Sequence, residues 1–240
     1  MHRAILVFLL LIYPLFSEAK EISYPTNQEE RALTLPDGVW ELGGEVWYSQ
    51  RQSYFNSMFY PVLSLRYGIT DNLEFYPLGL KYRVLRNAPL EFVIKGRIVG
   101  FGYSTTSGTG QSPTTEMFIF TEAGAEIKQR VHPKFAILYH LEDYYAYRSN
   151  SEDDTDIGIS LGGVSSFTER LSLEFTGIYK RLWGLNTGEG KVFKAAIYYN
   201  TSSTFDILLK GVFSDYKNEA RYLPENFRGL SYGIGLNWRF

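Results

Sequence analysis

From Leu230 to the last residue the chain alternates without a slip. Leu230, Tyr232, Ile234, Leu236, Trp238 and Phe240 share one parity, while Ser231, Gly233, Gly235, Asn237 and Arg239 share the other. A period of two is the pattern of a β-strand with one apolar and one polar face. The pattern recurs from Gly38 onward, in segments close to the ~9–11 residues that a tilted membrane strand needs. Trp40, Leu42, Val46 and Tyr48 oppose Glu41 and Glu45; Phe59, Leu63, Leu65 and Tyr67 oppose Ser64 and Arg66; Leu90, Phe92, Ile94 and Ile98 oppose Glu91, Lys95 and Arg97. Further on, Ile119, Ala123, Ala125 and Ile127 oppose Glu122, Glu126 and Lys128; Phe135, Ile137, Tyr139 and Leu141 oppose His140 and Glu142; Ile157, Ile159 and Leu161 oppose Gly158, Ser160 and Gly162. In the last third, Leu171, Leu173, Phe175 and Tyr179 oppose Glu174 and Lys180; Phe193, Ile197 and Tyr199 oppose Lys194; Phe205, Ile207, Leu209 and Phe213 oppose Asp206 and Lys210.

In each of these segments charge keeps to one face. A Lys or Arg facing lipid at the bilayer midplane costs ~2–4 kcal/mol, so a polar lumen inside an apolar exterior is the arrangement that tolerates this pattern. The fold class predicted is all-β, a transmembrane antiparallel up-and-down β-barrel over residues 37–240. The connections alternate in length. Short ones fall at 70–72, 86–89, 132–134, 168–170 and 201–203, and longer ones at 49–56, 104–115, 149–156, 184–190 and 217–229. That asymmetry is the one between periplasmic turns and extracellular loops, and it predicts periplasmic N- and C-termini. Residues 73–84 break the phase, because Glu74 lies on one parity and Lys81 and Arg83 on the other. The chain must slip near Pro77 or Gly79. A tight hairpin there, with arms of about six residues, gives about twelve strands and an even count; ten is the alternative, if this region lies outside the wall.

The beginning of the chain reads as an export signal. Residues 1–19 combine a short basic start, an apolar run from Ala4 to Phe16 and small residues at the expected cleavage point, Ser17 and Ala19. The run is too short for a spanning helix, which needs ~20 apolar residues. Residues 20–36 form a polar arm without periodicity, read as a periplasmic N-terminal lead-in, with a place inside the lumen left open. Cleavage after residue 19 removes one base, Arg3, and one acid, Glu18, so the net charge stays at −2. A near-neutral chain without a basic stripe is no nucleic-acid binder. With no cysteine there is no lipoprotein anchor, disulfide framework or thiolate site.

The C-terminal strand, with Tyr232 and Trp238 on its apolar face and Phe240 last, resembles the C-terminal signature of bacterial outer-membrane β-barrel proteins. That resemblance implies an assembly signal read by the barrel-assembly machinery, and a location in the outer membrane among lipid and lipopolysaccharide. A second stretch, from Leu65 through Arg66, Gly68, Asp71 and Asn72 to Glu74, followed by Leu78, Gly79, Leu80, Lys81 and Tyr82, resembles a turn and strand of outer-membrane barrels assigned to phenol-degradation pathways or to transport. It covers under a tenth of the chain and supports compartment and architecture only.

The lumen positions carry the remaining chemistry. Their predicted acids are Glu41, Glu45, Glu74, Glu91, Glu122, Glu126, Glu142, Glu174 and Asp206; their predicted bases are Arg66, Lys81, Arg83, Lys95, Arg97, Lys128, Lys180, Lys194, Lys210 and Arg239. Such balance favours cross-lumen ion pairs over a filter of one sign. A wall of ten to twelve strands is well short of the 16–18 of open porins and predicts a narrow or occluded pore. His140, beside Glu142, is the one histidine placed to act as a base inside, so a lumen hydrolase is a second alternative. The catalytic reading is disfavoured because residues 140–144 lack the His-x-Ser pattern of outer-membrane phospholipases. The acidic run Glu152–Asp156 reads as a solvated loop, since it lacks the ordered Gly and distal Glu of a calcium loop. Gly108 and Gly110 are no phosphate cradle, because no Lys-Ser/Thr pair follows. No cofactor is expected. The function predicted is a narrow channel or transporter for small solutes; the first alternative is a structural or adhesive barrel acting through its extracellular loops.

Overall fold

The computed structural model describes residues 24–51, 57–87, 89–106, 114–148, 154–183, 187–218 and 227–240. The predicted export signal, the start of the arm, Gly108, Gly110, Glu152 and Asp153 lie outside them. Twelve strands follow in order: β1 Trp40–Arg51, β2 Ser57–Thr70, β3 Leu73–Tyr76, β4 Gly79–Asn87, β5 Leu90–Thr106 and β6 Thr114–His132, then β7 Phe135–Arg148, β8 Asp154–Ser166, β9 Leu171–Trp183, β10 Gly188–Asn200, β11 Phe205–Asn218 and β12 Phe227–Arg239. Each pairs antiparallel with its chain neighbour, and β12 pairs with β1 to close the barrel. At the seam Trp40 N donates to Phe240 O at 2.9 Å and Phe240 N donates to Trp40 O at 3.0 Å. Closure leaves no sheet edge at the two ends of the chain, which is what a β structure in hydrocarbon requires.

The alternation converts directly into an inside-out protein. Leu208 and Leu209 are adjacent and of one type, yet Leu208 is 1% exposed and Leu209 is 52% exposed. The period of two sends one inward and the other to the outer surface. Buried apolar residues such as Val93, Ala136, Leu138, Val164 and Leu208 all have lumen parity, while Ile159, Leu161, Phe193 and Ile234 are exposed on the outside. Aromatic rings mark both rims of the outer face: Trp40 stacks on Tyr67 near the short turns, and Tyr48 packs against Phe59 and Tyr232 near the long loops. Two such girdles flanking an apolar band are the exterior of a membrane barrel.

Residues 73–84 are the predicted hairpin, with arms of four and nine residues rather than six each. Leu78 adopts φ +57° in the turn, the left-handed conformation a side chain rarely takes. This turn is where the phase slips. The strands also run further toward the loops than the sequence suggests, and there the rule that charge keeps to one face fails: Asp143, Arg181, Lys191 and Asp215 fall on outward parity. They sit at the strand ends on the loop side, past the apolar band, where outward charge meets headgroups or water at little cost. Asp156, read as part of a loop, belongs to β8 and faces the lumen.

Residues 24–36 do not hang below the barrel. They run into its short-turn end and are held by the wall on several sides. Arg31 pairs with Asp206 of β11 at 2.6 Å, Lys128 of β6 donates to the carbonyls of Gln28 and Arg31 at 2.8 and 2.6 Å, and Glu91 and Glu74 accept from the backbone of Leu33 and Leu35. Glu29 also accepts from Ser166. The buried apolar residues of the arm, Tyr24 and Leu35, cluster with Val39.

Candidate functional site

The register of the sheet explains which lumen charges meet. Glu41 of β1 stands opposite Arg66 of β2 on one side and Arg239 of β12 on the other. It binds both, at 2.8 and 2.7 Å. Arg66 also reaches Glu74 at 2.7 Å, and Arg239 reaches Asp206 at 2.5 Å. Asp206 therefore sits between two guanidinium groups, one from the wall and one from the arm. The Tyr24 ring lies 5.1 Å from Arg31 and 4.6 Å from Arg239, a cation–π contact with each. Burial pushes the Tyr24 phenol above its ordinary value, so it stays neutral there.

A second network follows on the adjoining wall, from β4 to β7, where Lys81 stands opposite Glu74. Lys81 and Lys95 are direct cross-strand partners, an arrangement that repels unless each finds an acid. Lys81 binds Glu126 at 2.6 Å, and Lys95 binds Glu122, Glu126 and Glu142 at 2.9, 3.2 and 3.0 Å. Arg97 takes the other side of Glu122 at 2.5 Å. Lys95 reaches three carboxylates because its partner on β6 is Gly124; a Cβ there would stand 3.0 Å from Lys95 Cε and 2.7 Å from the Leu141 carbonyl. Two separate lumen pairs stand apart from these networks, Lys210 with Glu45 at 2.5 Å and Lys180 with Asp156 at 3.0 Å.

Of the sequence-predicted lumen residues, Glu45, Arg66, Lys95, Arg97, Glu122, Glu126, Lys180, Lys210 and Arg239 are thus joined in ion pairs. Glu174 accepts from Tyr198 Oη at 3.0 Å. Lys194 makes no ion pair with a described residue and extends into open lumen space. His140 faces inward with Glu126 and Ser160 as its two cross-strand partners, the right residue types for a nucleophile, base and acid. The constellation is not assembled: Glu126 is held by Lys81 and Lys95, and His140 forms no hydrogen bond with a described residue. At the seam, Trp238 packs on Phe240 at 5.8 Å and Tyr232 stacks on Tyr48 at 5.8 Å; of the three residues read as an assembly signal, Tyr232 and Trp238 belong to the closing strand and Phe240 follows directly after it.

Two lumen features go beyond the sequence reading. The first is the arm, whose place inside the lumen the sequence leaves open. Above it lies a cavity of about 350 Å³ lined by Tyr24, Arg31, Glu41, Glu45, Arg66, Tyr198 and Lys210 among others, so the arm forms the floor of the open lumen. The second is an aromatic group inside the barrel. Trp47 and Tyr60 are cross-strand partners facing a further cavity of about 370 Å³, shared with Glu174, Lys194, Tyr198 and Lys210. Trp47 lies over Gly233, where a Cβ would stand 2.8 Å from the indole, and donates from Nε1 to Glu45 at 2.8 Å. Parity alone points Trp47 inward with Glu41 and Glu45; its ring type hid it among the outward aromatics.

Sequence comparison finds no family profile that matches the chain and no curated protein that does. Comparison with solved structures finds outer-membrane barrels. An outer membrane channel from Pseudomonas putida F1 is similar with a TM-score of 0.56 at 14% identity, over 93% of this chain and 100% of that one. The CymD monoaromatic hydrocarbon channel gives 0.51 at 9% identity, over 86% and 89%. Outer-membrane expressed OmpT of Vibrio cholerae gives 0.50 at 8% identity, over 84% and 97%. At such identities the likeness is one of fold: this is a closed barrel of the outer-membrane type.

Proposed function

We propose that the protein is a narrow outer-membrane channel for small solutes, with its short turns and both termini on the periplasmic side and its long loops outside. The observation that carries this is the lumen itself. It holds water-accessible cavities of about 350 and 370 Å³. Their charges are bound mostly to one another, so the field along the passage has no dominant sign. Such a passage suits small neutral or zwitterionic solutes better than an ion of one charge. The arm at the short-turn end narrows the periplasmic exit. Two of the barrels to which the chain is similar are described as channels. Liposome swelling tests the reading: vesicles carrying the mature chain should admit uncharged solutes of small size and exclude those an open porin passes. Vesicles impermeable to every solute would overturn it.

A further inference from the structure

The barrel wall is not of even height. β1 pairs with β2 from Ser57 to Tyr67, but β3 pairs with β2 only through Tyr67, Gly68 and Thr70. On the other side of the hairpin, β4 pairs with β5 only from Leu90 to Arg97, and Ile98 N closes the contact by donating to Leu78 O at 3.0 Å. Residues 57–66 of β2, and β5 beyond Ile98, therefore have a strand partner on one side only among the described residues. The β3–β4 hairpin turns back early, and the wall above it is a notch.

The notch lies at membrane depth. The unpartnered stretch of β2 begins next to Tyr67, in the girdle near the short turns, and takes in Phe59, in the girdle near the loops. Pro61 sits within it, and proline is confined to strand edges because it has no N–H to donate. Leu63 at 80% and Phe59 at 73% are the two most exposed large apolar side chains among the described residues. An open edge at hydrocarbon depth is tolerated only where it lines a cavity that satisfies its backbone groups.

The chemistry of the margin differs from that of the rest of the lumen. Deeper in the barrel, apolar residues of lumen parity such as Leu138, Val164 and Leu208 are buried. At the notch they are open: Met58 is 60% and Val62 38% exposed; Val99, at the bulge of β5 where the register shifts, is exposed as well. From Met58 to Leu63 the β2 margin carries no charge on either face. Each side borders a cavity: Tyr60 belongs to the one of about 370 Å³ that Trp47 lines, and Val99 to one of about 380 Å³ at the loop-side ends of β6 to β9, lined by Phe120, Tyr145, Ala146 and Trp183 among others. We propose that the notch between β2 and β5 is a side portal, through which a small apolar solute passes between the lumen and the hydrocarbon of the surrounding leaflet. The proposal rests on the reading of the barrel as a membrane channel and adds a route and a solute class to it.

The chain has no cysteine, so single-cysteine variants take a fluorophore at one chosen place. Val62→Cys and Val99→Cys, labelled and reconstituted in phosphatidylcholine vesicles containing nitroxide-labelled acyl chains, should be quenched nearly as strongly as a label at Leu209→Cys on the outer wall. A label at Lys180→Cys, in the lumen away from the notch, should be shielded. Shielding at both notch positions with quenching at Leu209 would overturn the portal, whether a second copy or a loop covers it, and leave the membrane barrel standing. Shielding at Leu209 too would instead overturn the membrane reading. The unmodified chain gives a second measurement: an apolar photoactivated carbene probe in the bilayer should label Val62 and Val99, and a small monoaromatic hydrocarbon should compete there and not at Leu209. Carbene labelling confined to outward residues would overturn the proposal.

Discussion

Arg31 in the arm and Asp206 on β11 stand 175 positions apart in the chain and meet at 2.6 Å, both buried. Because Arg239 holds the same carboxylate, the arm is tied to the strand that closes the barrel. Breaking a buried pair by removing one partner costs about 3–5 kcal/mol when the survivor is left uncompensated. Arg31→Met leaves Asp206 paired with Arg239, so the barrel should stay intact while the arm loosens. Limited proteolysis should then cut within residues 24–36 faster than in the parent chain; an unchanged cleavage rate would show that the pair does not hold the arm.

Leu209 faces outward and Val212 faces the lumen beside Lys194 and Ser231. Leu209→Arg should lose ~2–4 kcal/mol if it lies near the midplane, whereas Val212→Arg reaches lumen water and should lose less. Leu208 is the wrong comparison: at 1% exposure it packs inside above the arm, and an Arg there would cost for want of space. Equilibrium unfolding from lipid vesicles measures both variants, and equal losses would mean that the face assignment of β11 is mistaken.

The contrast between Leu208 and Leu209 also marks how far the sequence is legible. Alternation with Asp206 and Lys210 assigns the faces of β11 without any structure, and the opposed parity of Glu74 against Lys81 and Arg83 places the hairpin near Pro77 or Gly79. What alternation does not carry is anything aperiodic. The placement of residues 24–36 depends on Arg31 finding Asp206 far along the chain, and no local pattern announces it. Asp156 sits in an acidic run whose composition reads as a loop, although β8 takes it into the wall. The pairing of Lys95 with three acids depends on the bare surface at Gly124, a feature of register rather than of spacing.

Gly233 should tolerate no side chain. A Cβ would stand 2.8 Å from the Trp47 indole, which donates to Glu45. Gly233→Val should displace the indole, shift the tryptophan emission and cost about 1–3 kcal/mol through overpacking. An unaltered emission spectrum would place Trp47 elsewhere.

Phe240 contributes both the last backbone pair of the β1–β12 seam and an outward ring against Trp238. Deleting it removes the two hydrogen bonds with Trp40 and, by resemblance, the end of the assembly signal. The deletion variant should reach the outer membrane at reduced level and lose the difference in gel mobility between unheated and boiled samples. Wild-type surface levels would contradict the role given to this end of the chain.

The central claim is a narrow, charge-balanced passage narrowed by the arm, and single-channel recording in planar bilayers tests it most directly. The mature chain should give small, discrete conductance steps with little preference between potassium and chloride, and the variant lacking residues 24–36 should give larger steps of the same weak selectivity. Silence from both proteins, or strong selectivity for one sign of ion, would contradict the account.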